Sequence, residues 1–190
     1  MKRALCNVAQ GLALGLTLLF ASYQEAQAVP TPGAQIVMPY DGNVTLKFLG
    51  GSAGFSNDLY LDSPVGAYSG VIFNNHSTPI GTVVSLGHFT TGTELIFRLY
   101  VHDTGYSFYS GPASRNPDQE AHAAVEVLGH EMQVGFEDLY GGGDRDYNDL
   151  IFSISFQRTG QPVPDSALTA LLLTMSCASL GLLRRSNRSH

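Results

Sequence analysis

The chain has 190 residues, with 16 acidic and 10 basic side chains and a formal net charge of −6. An acidic chain with so few lysines is a poor partner for nucleic acid or for an anionic membrane surface. Its two cysteines, Cys6 and Cys177, lie near the ends, so the central region has neither a disulfide option nor a zinc-type cysteine set.

Taken in order, the chain opens on Met1-Lys2-Arg3, an apolar run from Leu12 to Ala21, and the small-x-small triplet Ala26-Gln27-Ala28. This is the pattern of a secretory signal helix over residues 1–28, with cleavage expected after Ala28. Cys6 falls too early to be a lipoprotein cysteine. The other end carries a second apolar segment, residues 167–183, followed by Arg184-Arg185-Ser186-Asn187-Arg188. Seventeen residues at ~1.5 Å each reach roughly 25 Å, close to the thickness of a hydrocarbon core. The pattern predicts a transmembrane helix with a cytoplasmic basic end. A plain membrane anchor is one reading of residues 161–190. Val163-Pro164-Asp165-Ser166 in front of that helix and the arginines behind it resemble the PEP-CTERM class of bacterial sorting tails, in its Val-Pro-Asp-Ser-Gly variant, with Ala167 in place of the glycine. The resemblance implies recognition by a membrane sorting peptidase, removal of the tail, and delivery to the cell surface or extracellular matrix.

Between the ends, residues 29–160 form one domain of a size that supports its own core. It holds fourteen acids against five bases, Lys47, Arg98, Arg115, Arg145 and Arg158. Its hydrophobic signal has period two. Val44, Leu46 and Phe48 alternate with Thr45 and Lys47; Leu59 and Leu61 bracket Tyr60; Val71 to Phe73 is a short apolar run. Val84, Leu86 and His88 alternate, as do Leu95, Phe97, Leu99 and Val101. Then come Ala123, Val125 and Val127; Met132, Val134 and Phe136; and Leu150, Phe152, Ile154 and Phe156. Eight or nine short strands of this kind predict an all-β, antiparallel β-sandwich of jelly-roll type.

The connection between the last two strands concentrates the chemistry. Glu137, Asp138, Asp144, Asp146 and Asp149 supply five carboxylates, Asn148 an amide, and Gly141-Gly142-Gly143 a flexible backbone. Oxygens at Asp144, Asp146 and Asn148 recur every second residue, the spacing that wraps a chain around a hard cation such as Ca²⁺. Two carboxylates ~4 Å apart repel by roughly 4 kcal/mol at an effective dielectric near 20, so the group must splay, take up protons or bind a cation. A solvated turn with Asp and Asn capping backbone amides is the bland alternative. An EF-hand is excluded, because Asp149 stands at its glycine position and Ser155 at its closing glutamate. The expected Ca²⁺ ligands are therefore Glu137, Asp138, Asp144, Asp146, Asn148 and Asp149.

Phe136-Glu137-Asp138-Leu139, Gly141-Gly142-Gly143-Asp144 and Asp146-Tyr147-Asn148-Asp149-Leu150-Ile151-Phe152 resemble the signature of the bacterial family called domain of unknown function 4114, over residues 80 to 156. Asn116-Pro117-Asp118 and the following Ala121-His122-Ala123 resemble a second segment of that family. The resemblance implies a β-sandwich, secretion and calcium binding, and no known activity. Asn116 and Asp118 either join the metal shell or make only a tight turn.

Other chemistry is thin. His130-Glu131 lacks the second histidine of a zinc-protease motif, since position 134 is Val. His76, His88, His102 and His122 show no paired spacing and read as ordinary turn or sheet-face residues. No serine stands in a Gly-x-Ser-x-Gly elbow, and the glycine pairs lack the lysine of a phosphate loop. The expectation is a non-enzymatic, calcium-binding protein of the cell surface or matrix. It would contact a polysaccharide or matrix protein, the membrane only through its terminal helix, and no nucleic acid. The alternative is a carbohydrate-binding module using Tyr100, Tyr106, Phe108, Tyr109 and Tyr140.

Overall fold

The computed structural model describes residues 29–160. The expected signal helix, the sorting tail and its transmembrane helix lie outside the described residues. Within them, ten strands run β1 (Thr31–Pro32), β2 (Gly42–Gly50), β3 (Asn57–Ser63), β4 (Phe73–Asn74), β5 (Val83–Phe89), β6 (Ile96–Val101), β7 (Ser107–Tyr109), β8 (Ala123–Leu128), β9 (Glu131–Phe136) and β10 (Leu150–Arg158). The one helical element among the described residues is a 3₁₀ turn, Ala113–Arg115, and no helix there is long and apolar enough to cross a membrane.

Every strand pairing is antiparallel. One sheet has the order β1-β8-β9-β10-β2-β5 and the other β4-β3-β6-β7. The two sheets share one core, because alternate side chains of each point at the other. Phe48 of β2 and Phe152 of β10 meet Phe73 of β4 and Phe97 of β6, with ring centroids 5.3 Å apart for Phe48–Phe73 and 5.1 Å for Phe97–Phe152. All four rings are fully buried, as are Phe108 and Phe136. Burying one such ring stabilises the fold by roughly 1.5–3 kcal/mol, so this aromatic seam is the main tie between the layers.

The expected two-layer architecture holds, but the expected jelly-roll order does not. In a jelly roll consecutive strands mostly pass from one sheet to the other, whereas β8, β9 and β10 follow one another as neighbours in one sheet. The local cause is the β8–β9 turn. Leu128 pairs with Glu131, leaving Gly129 and His130 as a two-residue loop, and Gly129 sits at φ +64° in its first position. Glycine there is the mark of a type II′ hairpin, which sends β9 straight back along β8.

The alternation places the core face of β2, β6 and β10 as expected. It fails in β5. The register against β2 slips between Val44 and Thr45, which pair with Gly87 and Ser85. Leu86 is the extra residue of that β-bulge, and Gly87 adopts φ +94° beside it. The bulge reverses the facing of the strand, so that Phe89 is buried and His88 is exposed.

Candidate metal centre

Residues 137–149 connect β9 to β10. Phe136 pairs with Leu150, and the Asp149 N–H donates to the Phe136 carbonyl at 3.0 Å, so the neck of the loop is closed by backbone bonds. Inside the loop the chain turns sharply. Gly141, Gly142 and Gly143 all take positive φ, and so do Arg145 at +62° and Tyr147 at +53°. A left-handed non-glycine residue costs on the order of 1 kcal/mol. Placing Arg145 and Tyr147 there brings Asp144, Asp146 and Asn148, the residues between and beyond them, into successive short turns. The Asp146 N–H donates to Asp144 Oδ1 at 3.4 Å and the Asn148 N–H to Asp146 Oδ1 at 3.2 Å.

The loop is held on two sides. On one, the Glu137 N–H donates to the His122 carbonyl at 2.9 Å, the Gly141 N–H to Asp118 Oδ2 at 2.7 Å and the Tyr147 hydroxyl to the Ala121 carbonyl at 3.3 Å. On the other, the Ser52 N–H donates to the Asn148 carbonyl at 2.8 Å. A Cβ at Gly135 would fall on the Tyr147 carbonyl oxygen, so glycine in β9 is what lets the loop lie against the strand.

Glu137, Asp144 and Asp146 bring one carboxylate oxygen each within 4.8 Å of one another. Glu137 is 2% exposed, while Asp144 and Asp146 are open to solvent. Each is pre-oriented by a backbone amide: the Tyr147 N–H donates to Glu137 Oε1 at 2.5 Å, and the two aspartates accept as above. Gly143 makes room for the group, since a Cβ there would stand 2.5 Å from Glu137 Oε2. The Arg145 guanidinium turns away to Glu120, 3.3 Å distant. Among the described residues no cationic side chain pairs with Glu137, Asp144 or Asp146.

The electrostatic consequence falls on Glu137. Burial pushes its carboxyl up to about 7, the charges of Asp149, Asp144 and Asp146 add to the shift, and the Tyr147 N–H opposes it. Asp149 is pushed up to about 6, again by burial first and by the neighbouring Asp138 carboxylate, against the Asp138 N–H that donates to it. Protonated carboxylates are one way to relieve such crowding. A cation is the other, and an oxygen-only set with one buried and two exposed carboxylates suits a hard ion such as Ca²⁺.

The remaining expected ligands are placed differently. Asn148 donates from Nδ2 to Asp146 Oδ2, adding a side chain to the Glu137–Asp144–Asp146 group. Asp138, nearly buried, accepts at Oδ2 from Asn57 Nδ2 at 2.8 Å, and its N–H donates to Asp149 Oδ2 at 2.8 Å. Asn116 is fully engaged with backbone: Oδ1 accepts from the Tyr109 N–H at 2.7 Å, and Nδ2 donates to the Tyr109 and Glu120 carbonyls at 3.3 and 2.8 Å. Asp118 meets the Gly141 N–H and His122 Nε2 through Oδ2, at 2.7 and 2.8 Å. Burial alone would raise Asp118, but the Gly141 N–H, the His122 ring and the Glu120 N–H together hold it below its ordinary 3.8. Of the two readings of Asn116-Pro117-Asp118, the turn is the one these contacts describe, with Asp118 as an anchor for the loop.

Two residues escape the sequence reading. His122 is not on a sheet face. It is fully buried, stacked on Phe108 at 3.6 Å between ring centroids, with Nδ1 donating to the Glu137 carbonyl at 3.0 Å. Its place in the Asn-Pro-Asp…His segment was the available signal. Asn57, from β3 of the opposite sheet, had none. Of the aromatics offered for sugar contact, Phe108 is buried, whereas Tyr106 and Tyr140 are exposed and touch, with centroids 5.1 Å apart.

Residues 89–157 match the family model described as Domain of unknown function (DUF4114). The match runs from the end of β5 through β10, and so includes the whole of the 137–149 loop together with Asp118 and His122. No curated protein and no solved structure matches the chain.

Proposed function

We propose that this chain, which carries a DUF4114 segment, is an exported calcium-binding β-sandwich with a non-catalytic structural or adhesive role at the cell surface or in the extracellular matrix. The observation that carries the reading is the convergence of Glu137, Asp144 and Asp146 within 4.8 Å on a loop whose own arginine points elsewhere. Glu137, Asp144, Asp146 and the Asn148 side chain hold the ion. The ion supplies the positive charge that lets the buried Glu137 stay ionised, and locks the loop onto β8 and β9. Export through the signal segment and sorting through the tail deliver the domain to a compartment where calcium is plentiful.

Extracellular calcium modules bind with Kd on the order of 10⁻⁴ to 10⁻³ M. At a hundredfold excess over Kd the ion adds about 2.7 kcal/mol to folding stability, or roughly 10 °C for a domain of this size. The test is a calcium-titrated melt of the full chain in mild detergent. Melting should rise with Ca²⁺ and lose most of that response in Asp144→Ala/Asp146→Ala. A wild-type melt indifferent to Ca²⁺ overturns the proposal.

A carbohydrate-binding role is the second reading, favoured by the exposed Tyr106–Tyr140 pair. Tyr140 belongs to the metal loop, so sugar binding through it would depend on calcium. A glycan array probed with and without EDTA, using Tyr106→Ala/Tyr140→Ala as control, separates an adhesive protein that recognises polysaccharide from one that recognises protein.

A further inference from the structure

The ends of three adjacent strands meet at the pole of the sandwich opposite the metal loop. β10 is nine residues long, about 27 Å from Leu150 at the neck of that loop to Arg158. There Arg158 pairs with Gly42 at the start of β2, and Gly42 pairs in turn with Phe89 at the end of β5. A Cβ at Gly42 would fall on the Gln157 carbonyl oxygen, so glycine is what lets β2 set out this close to β10. Pro39, Tyr40, Asp41, Thr91, Arg158 and Thr159 line a groove of about 480 Å³ at this corner, within the roughly 300–1,000 Å³ of small-ligand sites.

The polar groups of the groove are fixed, yet keep hydrogen-bonding capacity to spare. The Tyr40 hydroxyl donates to the Phe156 carbonyl at 2.8 Å, which holds the ring. The Arg158 guanidinium lies over that ring, 4.6 Å from its centroid. Arg98, Arg115 and Arg145 each pair with a carboxylate, but among the described residues no carboxylate pairs with Arg158. Its planar fork of N–H donors is positioned by the stack rather than consumed by an ion pair. Asp41 is anchored through one oxygen: Oδ1 accepts from the Thr91 N–H at 2.7 Å and from the Thr91 hydroxyl at 2.8 Å. These bonds hold its carboxyl below the ordinary 3.8. Oδ2, an ionised acceptor, has no partner among the described residues. The Thr159 hydroxyl donates to the Asp41 carbonyl at 3.1 Å, so both threonine oxygens keep lone pairs with which to accept.

Charge and chemistry narrow the ligand. One arginine and one aspartate cancel, so the groove selects neither a polyanion nor a polycation. It offers charged donors and acceptors side by side, hydroxyl oxygens, and the apolar surface of Tyr40 and Pro39. A sugar ring presents the complement: hydroxyls that donate and accept at once, and a C–H face that packs on an aromatic side chain.

We propose that this groove binds an uncharged saccharide, with Arg158 donating to its hydroxyls and Asp41 accepting from them, and that it does so without calcium. The site goes beyond the reading above, since it uses neither the Glu137–Asp144–Asp146 group nor the Tyr106–Tyr140 pair. Its side chains are already held in place before the ligand arrives, which limits the ordering entropy lost on binding.

The test is calorimetric titration of the full chain, in a detergent that carries no sugar and with EDTA present, against short neutral gluco-, manno- and galacto-oligosaccharides. Oligosaccharides bearing uronates and free amino acids serve as controls. At least one neutral series should bind. Arg158→Ala and Asp41→Asn should each weaken that binding about tenfold or more, the loss expected when a charge-assisted hydrogen bond goes. Arg158→Lys keeps the charge but not the fork, and should lose nearly as much with the least disturbance of the fold. Both positions are exposed, so each variant should melt within about 2 °C of wild type. Tyr106→Ala/Tyr140→Ala should bind as wild type does. No binding of any neutral series overturns the proposal, and so does binding confined to uronates or amino acids. Binding that vanishes with EDTA or in Tyr106→Ala/Tyr140→Ala, and survives Arg158→Ala, overturns it too and favours the aromatic pair of the metal loop. The calcium-titrated melt reads different residues, so a melt indifferent to Ca²⁺ overturns the metal reading and leaves this site standing.

Discussion

His122 and Glu137 grip each other through the backbone and the ring at once: the Glu137 N–H donates to the His122 carbonyl at 2.9 Å, and His122 Nδ1 donates to the Glu137 carbonyl at 3.0 Å. The other ring nitrogen faces Asp118 Oδ2, which also receives the Gly141 N–H. One buried side chain thus ties the first residue of the metal loop to the anchor of its glycine turn. In His122→Ala the Asp118 carboxylate loses a buried partner and Phe108 loses its stacked neighbour. Leaving a buried carboxylate without its hydrogen-bond partner costs about 1–3 kcal/mol or more, and the space left beside Phe108 adds a cavity penalty. We expect a fall in melting temperature of more than ~10 °C, read by circular dichroism, and His122→Gln should recover part of it by keeping one donor. A drop of only a degree or two in His122→Ala would show that the contact does not hold the loop.

Gly143 tests the shape of the Glu137–Asp144–Asp146 group. It adopts φ +49°, and a Cβ there would stand 2.5 Å from Glu137 Oε2. Gly143→Ala must push that carboxylate out of line with Asp144 and Asp146. Gly141 is the matched control, because it is also left-handed, at +86°, but a Cβ there meets nothing within 4 Å. Both substitutions carry a backbone cost of roughly 1 kcal/mol. Only Gly143→Ala should also shrink the calcium-induced rise in melting temperature, by half or more. Equal calcium responses in the two variants would count against Glu137 as a ligand.

The aromatic seam should dominate folding stability. Phe152 lies within ring contact of Phe73, Phe97 and Phe136, so Phe152→Ala should cost about 3–5 kcal/mol. Val125 and Val127 make a sharper comparison. Alternation alone puts both on the core face of β8, yet Val125 is 5% exposed and Val127 is 55% exposed. Val127→Ser should change stability by no more than about 0.5 kcal/mol, and Val125→Ser by several times that, in chemical denaturation.

Those two valines also show where sequence reasoning stops. Period two was enough for β2, β6 and β10, whose partners cover them along most of their length, and the acidic loop between Phe136 and Leu150 was visible as composition. Val127 stands at the hairpin end of β8, where Leu128, Gly129, His130 and Glu131 are exposed as well, and nothing local in the sequence marks where the buried part of a strand ends. The β5 bulge at Leu86 was hidden for a related reason: a single extra residue reverses facing, and Gly87 is its only trace. β1 and β7, two and three residues long, are too short for any periodicity. At the site, the carboxylates were legible as a group, but their division between the Glu137–Asp144–Asp146 group and Asp138 with Asp149 was not. That division depends on Asn57, which meets Asp138 across 81 residues of sequence. Pairing at that distance is a property of the folded layers.

The raised carboxylates make a signed prediction about pH. In the metal-free domain Glu137 is pushed from 4.5 up to about 7, by burial first and then by its acidic neighbours, and Asp149 from 3.8 up to about 6 for the same reasons. Both groups therefore hold protons more tightly folded than unfolded. Stability falls with rising pH wherever the folded state binds more protons, so their contribution is fully present below about pH 4 and is lost as pH rises towards 7. Asp41, Glu94 and Asp118 are shifted downward. Their contribution is present above their ordinary values of 3.8 to 4.5 and is lost only below them, outside the window from pH 5 to 7. With chelator present, melting temperature should thus decline from pH 5 to 7, and Glu137→Gln should flatten the decline. With saturating Ca²⁺ the sign reverses, because the ion binds the ionised carboxylates and displaces their protons: affinity and melting temperature should both rise across the same interval. Titration in two buffers of different ionisation enthalpy should detect protons released on calcium binding at pH 6 and fewer at pH 8. A metal-free melt that climbs from pH 5 to 7 in wild type, with no difference in Glu137→Gln, would mean that Glu137 is ionised without a cation.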